Sequence, residues 1–189
     1  GRAAIPGECG FRMKHRRTAT VQRILGFLIA GASLMMLPPA AVSFWYADGT
    51  ANLFLVSAVI LFLLGAAIFL PVRAVHEELR LRDGFLVVVA CWLSLVLVGA
   101  LPFLLLDKPE ISYVDAVFES MSGLTTTGAT ILTNIDELPR GILYYRQQLQ
   151  WLGGLGIVVL AVAIMPMLRI GGMQLYRAET PGPLKDSKL

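Results

Sequence analysis

A chain of 189 residues that is 56% hydrophobic and 15% charged, with a net charge of +3, falls well outside the balance of a soluble globular domain, where about a quarter of residues are charged. That composition excludes an ordinary water-solvated domain and points to a membrane protein. No nucleic-acid partner is expected.

Residues 1–12 do not resemble the rest of the chain. Met13-Lys14-His15-Arg16-Arg17 reads as a start, a methionine and a basic segment ahead of an apolar run, so 1–12 are read as leader or upstream sequence and set aside. Four charge-free runs come after it, at 24–46, 52–72, 84–106 and 147–168, each longer than the roughly 20 residues a helical span needs. They lack the polar stripe of a soluble core helix. Pro38-Pro39 interrupts the first run and should kink it. The first two runs form a hairpin around the polar turn Ala47-Asp48-Gly49-Thr50. A charged linker at 73–83 leads to the third run, which ends near Pro102 and gives way to an outer loop at 107–110. A short helix over 111–123 comes next. Ser112 and Asp115 have the spacing of a capping box. Val114, Val117, Phe118 and Met121 recur at i, i+3, i+4 and i+7 on one apolar face, and Gly123 is a natural helix stop. About a dozen residues at ~1.5 Å each reach roughly half-way through a bilayer.

Lys and Arg set the orientation. Eleven fall on one side (Lys14, Arg16, Arg17, Arg23, Arg73, Arg80, Arg82, Arg169, Arg177, Lys185 and Lys188) and three on the other (Lys108, Arg140 and Arg146). The richer side is cytoplasmic, which puts both termini in the cytoplasm. The outer side carries Asp48, Asp107, Glu110, Asp115, Asp136 and Glu137. For most of these a solvated loop surface is the reading, with a modest enrichment of cations as the alternative. Trp45, Tyr46, Tyr144, Tyr145 and Trp151 fit an outer aromatic belt. Arg146, Gln147, Gln148 and Gln150 fit an interface anchor, with a charge that restrains ion entry as the alternative.

Between the short helix and the last run lies Leu124-Thr125-Thr126-Thr127-Gly128-Ala129-Thr130. Irregular backbone at membrane depth survives only when buried in protein or lining a watery path. Threonine and glycine carbonyls in such a loop can replace the hydration shell of a monovalent cation. The half-length helix aims its partially negative end at this place, and Gly128 opens backbone angles closed to other residues. The expected fold is all-α and membrane-integral. A two-helix N-terminal hairpin with its linker covers 13–83, one span–pore helix–filter–span repeat covers 84–170, and a cytoplasmic loop covers 171–189. Thr126, Thr127, Gly128 and Ala129 are the candidate ion-lining residues, flanked by Thr125 and Thr130. A Thr-Thr-Thr-Gly string alone indicates a mundane turn; its placement after a separate half-length helix favours a filter. That placement also disfavours a secondary transporter, whose break falls inside a full span. A non-conducting membrane scaffold is the other alternative.

Nothing suggests catalysis. Cys91 sits alone in a span, and His15 and His76 lack partners at metal-ligand spacing. There is no Walker loop or dinucleotide-binding glycine pattern, and Gly153-Gly154-Leu155-Gly156 reads as close helix packing. No enzymatic role is expected.

The string Phe118-Glu119-Ser120-Met121-Ser122-Gly123-Leu124-Thr125-Thr126-Thr127-Gly128-Ala129-Thr130, with Gln150-Trp151-Leu152-Gly153-Gly154-Leu155-Gly156 and Met165-Pro166-Met167 running into Gly171-Gly172-Met173-Gln174-Leu175, resembles the potassium-translocating membrane subunits of the bacterial Trk/Ktr superfamily, Trk type. The likeness extends essentially from Met13 to the end. It implies four covalently linked repeats, each giving one filter strand with a central glycine, here Gly128. It implies that Thr126, Thr127, Gly128 and Ala129 line the path through backbone oxygens, with K+ held at Thr126, Thr127 and Gly128. K+ is then the transported ion, with no covalent cofactor, and the location is the bacterial inner membrane. The implied partners are membrane lipids, the remaining pore repeats of the same protein, a homodimer mate and a cytosolic nucleotide-binding regulatory subunit. The hairpin matches the extra two-helix segment of the Trk type. A single repeat supplies one quarter of a filter, so the chain reads as an N-terminal portion. A small homotetrameric channel subunit is the alternative.

Overall fold

A computed structural model of the protein describes residues 6–74 and 81–167, with side chains placed over 18–74 and 84–162. Residues 75–80 of the expected linker, with His76, and the expected loop 171–189 lie outside the described residues. All regular structure among the described residues is helical. The helices are α1 (Pro6–Leu34), α2 (Leu37–Tyr46), α3 (Ala51–Phe69), α4 (Leu81–Gly99), α5 (Leu101–Leu104), α6 (Tyr113–Leu124) and α7 (Arg140–Met167), with 3-10 turns at Leu70–Val72 and Ile135–Glu137. Helix α1 starts at Pro6, so it crosses the compositional change at Met13. Three stretches among the described residues are long and apolar enough to cross a membrane: Thr18–Tyr46, Ala51–Val72 and Gly84–Leu104. The fourth expected span, 147–168, falls in the 28-residue α7, about 42 Å long; Leu168 lies outside the described residues.

The first span breaks at its prolines. Helix α1 stops at Leu34, and α2 restarts with proline in its first turn, where a missing N–H costs nothing. Upstream the cost is real, because Pro39 has no amide to offer the Met35 carbonyl. Gln148 on α7 supplies the donor, its Nε2 lying 2.9 Å from that oxygen. A second break falls at Ala100, just before Pro102. There the Tyr145 hydroxyl, also from α7, donates to the Gly99 carbonyl at 2.8 Å. One helix therefore supplies a hydrogen-bond donor at each break.

Two expectations are corrected by these contacts. Tyr145 is not part of an aromatic belt: it is 1% exposed, whereas Trp45, Tyr46, Tyr144 and Trp151 lie open. Gln148 is buried and is no interface anchor. Tyr145 also centres an aromatic cluster, its ring 5.7 Å from Phe54 and 5.4 Å from Phe103, both tilted. Such contacts add to the apolar burial that joins α3, α5 and α7.

Small residues set the hairpin spacing. A methyl group on Gly65 would lie 2.4 Å from the Ala30 amide nitrogen, so α1 and α3 touch backbone to backbone there. At the hairpin turn Ala47 and Gly49 take positive φ angles of 51° and 83°. The turn is more than a solvated loop. Asp48 accepts from the Ser43 hydroxyl, from the Thr50 amide at 3.0 Å, from the Thr50 hydroxyl at 2.9 Å and from the Gly141 amide at 2.8 Å. The last contact puts a carboxylate on the N-terminus of α7, where the helix dipole favours it. Partial burial raises the Asp48 pKa, but the hydrogen bonds from Ser43, Gly141 and Thr50 outweigh it and hold the carboxyl below 3.8.

Candidate functional site

Helix α6 begins as its sequence says. The Asp115 amide donates to the Ser112 hydroxyl at 3.2 Å, and the Asp115 carboxylate accepts from the Ser112 amide at 3.3 Å, a closed capping box. Its 12 residues reach about 18 Å. The apolar face exists but turns away from the chain's own core: Val114, Phe118 and Met121 are 72%, 45% and 49% exposed. The buried side is made of Ala116, Glu119, Ser120, Ser122, Gly123 and Leu124.

The helix does not stop at Gly123. That residue stays helical and lies against Leu149, which a side chain at 123 would strike. The end comes at Leu124 through a reverse-wound cap. The Thr126 amide donates to the Gly123 carbonyl at 2.9 Å, and the Thr127 amide to the Ser122 carbonyl at 3.0 Å, the paired bonds of a Schellman motif. That motif needs a left-handed residue and glycine normally supplies it; here Thr126 does, at φ 59°. A β-branched residue there is a true outlier, strained by about 1–2 kcal/mol. Gly128 follows at φ 73°, so two positive-φ residues bracket Thr127. The Met121, Ser122 and Gly123 carbonyls are taken by returning amides, which uses part of the negative end of the helix dipole.

The chain then runs back along α6, as expected. Two side chains one turn apart hold it. The Ser122 hydroxyl donates to the Ala129 carbonyl at 2.6 Å. One Glu119 carboxylate oxygen accepts from the Thr130 hydroxyl and the Ile131 amide, both at 2.6 Å. The other Glu119 oxygen meets the Arg146 Nε at 3.2 Å, with side-chain exposures of 1% and 10%. Arg146 is thus no interface anchor; it is the buried counter-charge of Glu119.

All six residues from Thr125 to Thr130 are exposed on the unit. The structure brings Thr126, Thr127 and Gly128 together as a bare ridge: among the described residues their carbonyls accept no hydrogen bond. Ala129 departs from the expected set, because its carbonyl is turned to the Ser122 hydroxyl. The flanking Thr125 hydroxyl donates to the Met121 carbonyl at 2.8 Å and sits 2.8 Å from the Thr127 hydroxyl. Gly153 supports the ridge from behind. A methyl there would lie 2.0 Å from the Leu124 carbonyl oxygen, so α7 touches the end of α6 backbone to backbone. Gly154 has no such contact, Thr126 Cγ2 being 4.0 Å from where its methyl would be, and Gly156 meets Trp92. Sequence reasoning missed Glu119, although an acid in a helix at membrane depth is itself a signal.

A family model described as TrkH, cation transport protein, matches residues 51–189. The Trk system potassium uptake protein TrkH of Halomonas elongata is 58% identical over 169 residues, 89% of this chain and 35% of that protein. Its Escherichia coli K12 counterpart of the same name is 51% identical over 169 residues, with the same coverage of 89% and 35%. The crystal structure of the potassium transporter TrkH from Vibrio parahaemolyticus superposes with a TM-score of 0.77 at 50% identity, covering 87% of this chain and 34% of that one. The chain spans about a third of the length of the relatives it matches.

Proposed function

Since the chain belongs to the TrkH family of cation transport proteins, we propose that it supplies one repeat of a potassium-uptake pore, with Thr126, Thr127 and Gly128 as its share of the filter. The observation that carries this reading is the ridge of three unpaired carbonyls held at the end of a capped, half-length helix. Free oxygens on a braced backbone are what a dehydrating cation needs. The length ratio to the relatives agrees with one of several repeats, and one strand coordinates an ion from one side only. The complete transporter is read as a homodimer in the bacterial inner membrane with a cytosolic nucleotide-binding regulatory subunit. Both ends of this chain face the cytoplasm, on the strength of the Lys/Arg asymmetry. A cysteine at Glu110 should then react with an impermeant thiol reagent on intact cells; labelling only after the membrane is opened reverses the orientation.

The test of the filter is Gly128→Ala in the complete transporter. The new methyl meets nothing closer than Gln150 Nε2 at 3.7 Å, while φ stands at 73°. The substitution therefore adds about 1–2 kcal/mol of backbone strain without a clash. A peptide rotation relieves that strain and misplaces an oxygen. Membrane levels should stay near normal while the K+/Na+ uptake ratio falls. An unchanged ratio removes Gly128 from the filter and this reading with it.

A further inference from the structure

We propose that the buried Glu119–Arg146 pair positions the outer end of the filter segment, so that Glu119 tunes ion discrimination without touching the ion. This rests on the pore reading above and adds a residue to it. The segment 125–131 belongs to no sheet, and its backbone is held by few bonds. On the helix side are the amides of Thr126, Thr127 and, at 3.4 Å from the Ser122 carbonyl, Gly128. On the far side are the Ser122 hydroxyl on Ala129 and the Glu119 oxygen shared by the Thr130 hydroxyl and the Ile131 amide. The Gly128 carbonyl lies between these two anchors. Removing the Glu119 oxygen leaves the Ser122 hydroxyl to hold the far side and loosens the backbone from Gly128 to Ile131.

A buried ion pair is poor evidence of stabilisation, since desolvating two charges offsets most of their attraction. Its geometric effect is clearer here. Arg146 engages only one carboxylate oxygen, which orients the carboxyl group and turns the second oxygen towards Thr130 and Ile131. Arg146 is a positioning residue at one remove, since its contact is to Glu119 and not to the strand. Thr130 Oγ1 also accepts from the Leu132 amide at 3.1 Å, so the clamp continues past the ridge.

The chemistry allows the clamp to be separated from the charge. In the complete transporter, Glu119→Gln with Arg146→Met removes both charges and keeps a carbonyl oxygen for Thr130 and Ile131. Glu119→Leu with Arg146→Met removes the charges and the acceptor together, at similar volume. The first double variant should keep the K+/Na+ uptake ratio per molecule. The second should lower it about tenfold, the change that ~1.4 kcal/mol in the difference between two ion affinities produces. Equal ratios in the two double variants overturn the proposal. Should the leucine variant fail to accumulate, Thr130→Val decides. It deletes one clamp donor at an exposed position, and it should lower the ratio by a smaller factor in the same direction; an unchanged ratio overturns the proposal. Gly128→Ala separates the two failures. If Gly128→Ala shifts the ratio and the clamp variants do not, the filter stands and the clamp falls. If none of them shifts it, the filter reading falls first.

Discussion

Replacing Gly153 by alanine probes the contact that seats the Thr126–Gly128 ridge. The added methyl would lie 2.0 Å from the Leu124 oxygen, 2.7 Å from its carbonyl carbon and 3.0 Å from its Cα. Ordinary contact needs about 3.5 Å. Both sides of the clash are backbone, so no rotamer change relieves it; α7 or the end of α6 must withdraw. Overpacking of this kind costs about 1–3 kcal/mol, and a backbone clash belongs at the upper end. The better helix propensity of alanine returns up to ~1 kcal/mol, leaving a net loss of roughly 2 kcal/mol. Gly154→Ala is the internal control: its methyl meets only Thr126 Cγ2 at 4.0 Å, so only the propensity term, a gain of up to ~1 kcal/mol, remains. Melting of the two purified variants in one detergent, beside membrane abundance, should separate them by about 3 kcal/mol, with Gly153→Ala the weaker. Because Leu124 leads directly into Thr125, the surviving Gly153→Ala protein should also show a disturbed K+/Na+ ratio. Equal stability of the two variants, or a weaker Gly154→Ala, would refute the assignment of the close approach to Gly153.

The hairpin and its seat on α7 give two further expected outcomes. The Asp48 carboxyl titrates below 3.8 when folded, so its contribution to stability is complete above that value and is lost as pH falls through the lower folded pKa. Asp48→Asn should therefore melt lower than the parent at neutral pH, with the gap closing in acid; a constant gap across that range contradicts the network. Gln148→Leu takes the donor from the part-buried Met35 carbonyl and should cost about 0.5–1.5 kcal/mol. Pro39→Ala restores a backbone amide to that carbonyl, so the same Gln148 change should cost measurably less in the Pro39→Ala background, and additive effects in the double-mutant cycle would show that the two donors serve different acceptors.

The sequence by itself determined the elements that depend on local chemistry. Runs of more than 20 apolar residues form helices wherever they lie, because no water satisfies a backbone in lipid. Pro38-Pro39 breaks the first span because a proline carries no amide. Ser112 and Asp115 start α6 because a capping box closes within four residues. The Thr/Gly loop was legible for the same reason, as was the likeness to a potassium-transport family. The helix end was misread, since Gly123 is a fit stop on local grounds, whereas the helix runs on to Leu124 with Gly123 packed against Leu149. What holds the ridge was not legible at all. Glu119 and Arg146 stand 27 residues apart, and Gln148 and Met35 113 apart. No local rule pairs such residues, and composition at the outer end of the last span suggested an interface anchor for both Arg146 and Gln148. Tertiary packing decided otherwise: once α7 lies against α2 and α6, polar side chains on that face are cut off from water and must find partners across the bundle. The resemblance placed Ala129 among the ion-facing carbonyls, and only the folded chain shows that the Ser122 hydroxyl donates to its oxygen.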